Sequence, residues 1–166
     1  MRNNQRGFTL VEAVMAITVF ALGIVSVASL GSIAKSTSDL GKDTVVASNY
    51  LQEGLEAMRS LRDASWSNVG TDGNYRLVSQ GASYPAWQLS SGTEAVDKFT
   101  RTVQIASVSR EDTDSSGTIT SGDKMVPNGG VFNDPDTKKI TVTLTWKSGS
   151  RTVTKTLTEY LTNWQT

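Results

Sequence analysis

Three patterns of apolar and polar residues follow one another along this chain. The first is a continuous apolar run. Between Glu12 and Lys35 lie 22 residues without a charge. As a helix rising ~1.5 Å per residue such a run spans ~33 Å, about the hydrocarbon thickness of a bilayer. The second pattern has a helical period. Leu51, Leu55 and Met58 recur at i, i+4 and i+7, with Ala47 and Leu61 nearby. Gln52, Glu53, Glu56, Arg59 and Asp63 fall mainly on other faces. The simplest reading is one long helix over residues 9–62, its first half in a membrane and its second half laying an apolar stripe on a sheet. The polar stretch 36–41 is a candidate cap or kink within it.

The third pattern has period two. Residues 67–73 are rich in Ser, Asn, Gly and Asp and read as a turn region. Strands are expected at 75–78, 87–89 and 99–108, the last with Phe99, Val103 and Ile105 on one face. Ile140, Val142, Leu144 and Trp146 alternate with Thr141, Thr143, Thr145 and Lys147, as in a half-buried strand. Ser148-Gly149 signals a hairpin turn, and residues 151–161 return with Val153, Leu157 and Leu161 facing in. The expected fold class is therefore α+β: a long N-terminal helix, membrane half plus amphipathic half, packed on an antiparallel sheet.

Composition narrows the chemistry. The 166 residues include 16 Lys and Arg against 16 Asp and Glu, so no basic excess argues for nucleic acid. There is no Cys, hence no disulfide, thiolate zinc site or cysteine nucleophile. There is no His, which removes the commonest general base and transition-metal ligand. No acid/base pair or phosphate loop stands out among the remaining residues, and an enzyme is not expected. Trp66, Trp87, Trp146 and Trp164, with Tyr50, Tyr75, Tyr84 and Tyr160, read as core and sheet-packing residues rather than a ligand face.

The start of the chain is more specific. A short basic head, Met1-Arg-Asn-Asn-Gln-Arg, ends in Gly7, and Phe8-Thr-Leu-Val-Glu12 opens the apolar run. A secretory signal peptide would have a shorter apolar region, and a plain signal anchor gives no reason for an acid inside it. A carboxylate there costs ~2.5–3.5 kcal/mol on insertion scales and calls for a purpose. Residues 2–12 resemble the type IV prepilin signature.

That resemblance implies a leader at 1–7, a hydrophobic transmembrane and assembly helix at 8–34, and a remainder at 35–166. The last part holds the helix continuation and a pilin-like β-sheet head. It implies cleavage between Gly7 and Phe8 by a membrane prepilin peptidase, N-methylation of Phe8, and a single membrane helix before assembly. Other pilin subunits are then the partners, and Glu12 is the assembly residue that meets the N-terminal amine of a neighbour. The precursor belongs in the cytoplasmic membrane and the product in an extracellular or periplasmic filament. Residues 53–59 look more like minor pilins or type II secretion pseudopilins than like major pilins. The alternative is a membrane-anchored or filament-borne adhesin or DNA-uptake module.

One further motif stands apart. From Asp112 to Asp123 the residues follow the spacing of an EF-hand calcium loop, with oxygen-bearing side chains at positions 1, 3 and 5, Gly117 at 6 and an acid at 12. Asp112, Asp114, Ser116 and Asp123 supply side-chain oxygen in this reading. Thr118 supplies its carbonyl, and Thr120 its hydroxyl or a water. Ile119 occupies the place of an apolar anchor. Position 5 is Ser and position 12 is Asp, so the expected calcium site is weak and structural, clipping a loop that has no disulfide. The turn-like Asn133-Asp134-Pro135-Asp136 is a possible source of one more ligand.

Overall fold

The computed structural model describes residues 9–126 and 129–164. They divide into two compact units, up to Thr44 and from Val45 onward. A single helix, α1 (Leu10–Ala64), contributes to both. It continues through residues 36–41, so the helix does not end in a cap there.

In the first unit, α1 carries a predominantly apolar surface from Leu10 to Ile33, with Glu12 its one charged residue, and all of it is exposed. The hydroxyls of Thr18, Ser26 and Ser29 donate to the carbonyls of Val14, Leu22 and Val25 at 2.8–3.0 Å. Such back-bonding satisfies each hydroxyl within its own helix, as a non-aqueous setting requires. Length and composition suffice for this segment to cross a membrane.

In the second unit, the remainder of α1 lays Ala47, Leu51, Leu55, Met58 and Leu61 into the core. This is the stripe expected from the sequence. The helix ends where Asn68 donates its side-chain amide to the Leu61 carbonyl at 3.1 Å and Ser65 turns extended. A short 3₁₀ turn (Trp66–Val69) follows, where the sequence pattern suggested only a turn.

Seven strands then form one antiparallel sheet: β1 (Gly73–Ser79), β2 (Trp87–Ser91), β3 (Glu94–Val96), β4 (Phe99–Arg110), β5 (Met125–Val126), β6 (Phe132–Ser148) and β7 (Arg151–Thr162). The order is β2-β1-β4-β6-β7, and β3 and β5 also pair with β4. Val142, Leu144, Val103, Ile105 and Phe99 pack beneath the helix. Phe99 meets Tyr50 and Trp146 edge-on, with ring centroids 5.7 and 5.3 Å apart. Of the aromatics expected inside, Tyr84, Tyr160 and Trp164 are exposed.

Two local departures have physical causes. Residues 133–136, expected as a turn, lie inside β6. The β4–β6 register shifts there, from Ser107↔Lys138 to Val108↔Asp134, and the extra residues of this bulge accommodate Pro135 without a ladder bond. Leu157 lies on the inward face of β7 yet remains 37% exposed, because α1 covers the neighbouring strands rather than the sheet edge.

Helix and sheet approach most closely at Gly54. A Cβ there would sit 2.9 Å from Val142 Cγ1 and 3.3 Å from Cγ2. Val142 is β-branched and buried, so it has little freedom to yield. Gly54→Ala gains ~1 kcal/mol of helix propensity but meets an overpacking cost of ~1–3 kcal/mol. The expected net result is a loss of up to ~2 kcal/mol in urea denaturation, with Gly54→Val clearly worse. A gain in stability for Gly54→Ala would contradict this packing.

Candidate functional site

Two groups of residues carry the functional expectations, one in each unit. In the first unit, Glu12 sits in the opening turn of α1. The Thr9 carbonyl accepts from the N–H groups of Glu12 and Ala13 at 3.1 Å, so Thr9 starts the helix. The Glu12 side chain is exposed and has no partner among the described residues. Gly7 and Phe8, the expected cleavage and methylation positions, lie outside the described residues.

In the second unit, the loop between β4 and β5 gathers Asp112, Asp114 and Asp123, with one carboxylate oxygen from each within 4.8 Å of the others. Backbone amides hold the set. Asp112 accepts from Ser116 N at 2.9 Å and Gly117 N at 3.1 Å. Asp114 accepts from Ser116 N and from the Thr120 hydroxyl, both at 3.0 Å. Asp123 accepts from Thr113 N at 2.9 Å and Thr120 N at 2.7 Å. The Ser116 hydroxyl donates to the Thr118 carbonyl at 2.9 Å. All six residues named from the sequence thus meet in one loop. Gly117 makes the turn at φ +72°, a conformation that suits a residue without Cβ.

The Asp114 carboxyl lies below its ordinary value, chiefly because Ser116 and Thr120 hydrogen-bond its charged form. Each ionised carboxylate has about four lone-pair sites, so these bonds leave acceptor capacity free. Three acids this close repel one another, and a hard cation would offset that repulsion. Ile119, placed as an anchor by the loop pattern, is instead exposed. Strand β4 ends without a following helix, so there is no helical core for that side chain to enter.

The sequence pattern missed the residue that ties this loop to the sheet. Arg110 donates from Nε to Asp134 Oδ2 at 2.6 Å and from Nη1 to the Asp123 carbonyl at 3.3 Å. Burial works to raise the Asp134 carboxyl, but the Arg110 and Thr137 hydrogen bonds and the Arg110 charge outweigh it and hold it below its ordinary value. Asp134 therefore supports the loop through Arg110 and is not one of the three clustered acids. A cation at the end of one strand and an Asp-Pro-Asp on another were both visible in the sequence, but their pairing depends on the bulge register. A second tether lies nearby, where Lys138 Nζ meets Asp72 Oδ1 at 2.7 Å and the Ser107 hydroxyl at 3.1 Å.

Comparison with known proteins bears on the first unit. Residues 2–28 match the family model described as the prokaryotic N-terminal methylation motif. Together with the long apolar helix and the helix-on-sheet fold, this match supports a type IV prepilin-like protein; the family that carries the motif is structural rather than catalytic. The motif is that of a prepilin-peptidase substrate, and the apolar helix fits membrane anchoring of the precursor. Neither a curated protein nor a solved structure matches the chain.

Proposed function

We propose that this protein is a structural subunit of a type IV pilus-like filament or pseudopilus. It is cut between Gly7 and Phe8, methylated on Phe8, held in the membrane by α1, and then polymerised through that helix with other pilin subunits. The observation that carries this reading is the methylation motif at residues 2–28 running directly into an apolar helix with one acid in its first turn. Cleavage leaves an amine four residues before Glu12. In a low-dielectric helix bundle the two charges attract, and desolvation cancels much of the gain. The pair therefore sets axial register more than it adds stability. Mass spectrometry of the mature protein is expected to find a chain beginning at N-methyl-Phe8. An N-terminus beyond residue 28 would sink the proposal in favour of an ordinary signal peptide.

The acidic loop is assigned a structural role in the same reading. Asp112, Asp114, Ser116, Thr118, Thr120 and Asp123 would hold calcium, which supplies positive charge to a cluster of acids and fixes the loop against the sheet. Extracellular calcium modules bind at ~10⁻⁴–10⁻³ M. With a dissociation constant near ~1 mM, 10 mM calcium adds ~1.4 kcal/mol of stability by mass action. Thermal melting is expected to rise by ~3–6 °C over a chelated sample, and Asp112→Ala is expected to abolish the rise. Equal melting with calcium and with chelator removes the metal from this account.

A further inference from the structure

A cleft of about 460 Å³ lies where the end of α1, the 3₁₀ turn and the β1–β2 hairpin meet. Its floor is apolar. Leu61 of α1 is buried there, and Trp87 and Leu89 of β2 pack partly against the core. Tyr84 and Pro85 of the hairpin loop form one wall, and Tyr84 is 74% exposed. The rest of the lining is amide and hydroxyl, from Asn68, Gln80, Ser83 and Gln88. No residue of this lining is charged. The larger groove beside β7, by contrast, has Glu53, Glu56, Arg59 and Glu159 in its walls.

The polar groups of the cleft are held in place with bonding capacity left over. Asn68 donates to the Leu61 carbonyl at 3.1 Å, which leaves its amide oxygen free. Gln80 and Gln88 share one amide–amide bond at 2.9 Å, so each keeps groups for a ligand. The Ser83 hydroxyl has no protein partner among the described residues. The backbone adds more. Strand β2 pairs only with β1. Gln80 N–H donates to the Ala86 carbonyl at 2.8 Å and Gly92 N–H to the Asn74 carbonyl at 3.1 Å. In the register Val78↔Gln88, these bonds turn Gln88 and Ser90 toward β1. The N–H and C=O groups of Trp87 and Leu89 therefore point to the open edge. Side chains of both faces of β2 border the cleft, so it wraps around that edge.

We propose that this cleft binds a neutral saccharide, with a pyranose ring laid against Tyr84 over the floor of Trp87 and Leu89. The lining selects this class of ligand. A charged ligand would give up its hydration and meet no counter-charge. A purely apolar one would strand the amides and the edge groups without partners. A saccharide hydroxyl donates and accepts at once, as the side-chain amides and the β2 edge do. Its C–H faces are apolar and suit the electron-rich face of an aromatic ring. Sites for small ligands typically measure ~300–1,000 Å³ and combine an apolar lining with a few fixed polar groups. An extended peptide added to β2 is served less well, since the strand has five residues and Pro85 lies just before it. Saccharide binding needs only the second unit and is independent of filament assembly.

Titration of the full-length chain tests this, in micelles of a zwitterionic detergent that carries no sugar headgroup. The probes are neutral tetrasaccharides of glucose, mannose, galactose or N-acetylglucosamine, read by calorimetry and by tryptophan emission. At least one is expected to bind with a dissociation constant of ~1 mM or below. Tyr84→Ala is expected to weaken that binding about tenfold, while Tyr84→Phe, which keeps the ring, stays within about threefold. Because Tyr84 is exposed, Tyr84→Ala should keep the native melting temperature, which separates lost binding from lost fold. Gln88→Leu removes an amide at the edge and is expected to weaken binding about tenfold as well. Tyr160→Ala, at an exposed tyrosine of β7, is expected to change nothing. Binding of none of the four probes overturns the proposal, and so does binding indifferent to Tyr84→Ala. Tighter binding of an oligogalacturonate, or of a capped Thr-Val hexapeptide, also overturns it and assigns the cleft to an anionic glycan or to strand addition.

Discussion

Arg101→Ala is expected to destabilise the head by ~3–5 kcal/mol, the cost of breaking a buried charge pair from one side. Arg101 is only 2% exposed. Its Nε meets Glu94 Oε1 at 2.6 Å, and its Nη1 donates to the Tyr50 carbonyl at 3.1 Å and lies 3.5 Å from Glu53 Oε2. One guanidinium thus ties β4 to β3 and to the core half of α1. Truncation strands the Glu94 carboxylate, which is itself largely buried. It also opens a cavity between helix and sheet. The double change Arg101→Met with Glu94→Gln removes both charges and refills most of the volume, so it is expected to cost far less. Urea denaturation followed by tryptophan fluorescence measures both variants, with buried Trp146 as reporter. A loss below ~1 kcal/mol for Arg101→Ala would show that the pair contributes little to the fold.

The second large effect is expected at Glu12. Glu12→Ala removes a carboxylate that costs ~2.5–3.5 kcal/mol in a bilayer on insertion scales, so the variant should enter the membrane at least as well as the native chain. Were Glu12 a passenger, assembly would be unchanged or improved. In the proposed register role the neighbour's N-terminal amine is instead left buried without a counter-charge. Incorporation into filaments is then expected to fall by tenfold or more, an effect of only ~1.4 kcal/mol per subunit contact. Cleavage after Gly7 should continue. Glu12→Gln keeps the shape without the charge and should fail in the same way. Immunoblots of sheared filaments against whole membranes separate assembly from processing. Normal incorporation of either variant refutes the register role.

Much of the architecture was legible because its periodicities are long. A run of 22 uncharged residues, a stripe at 51, 55 and 58, and the alternation of apolar residues with Thr and Lys over 140–147 each admit few structures. The strands β3 and β5, of three and two residues, were not legible, since they exist only as partners of β4. Arg101 shows the boundary well. Its parity with Phe99, Val103 and Ile105 placed a cation on the buried face, yet nothing nearby in sequence identified Glu94 and the Tyr50 carbonyl as its partners. The acidic loop divides the same way. Its side-chain spacing is local and readable, while its anchor joins Arg110 to Asp134, 24 residues apart, through the bulge register.

By itself, then, the sequence determined the leader-like start, the apolar helix, the helix-and-sheet class and the acidic loop with its six named residues. All of these rest on residues close together in the chain, where spacing alone fixes geometry. Tertiary structure decided which side chains meet: glycine at 54 because Val142 lies beneath it, a buried arginine because a carboxylate from β3 reaches it, and an open β7 because the helix stops short of the edge. Those outcomes depend on register and on what covers what, and a linear pattern carries neither.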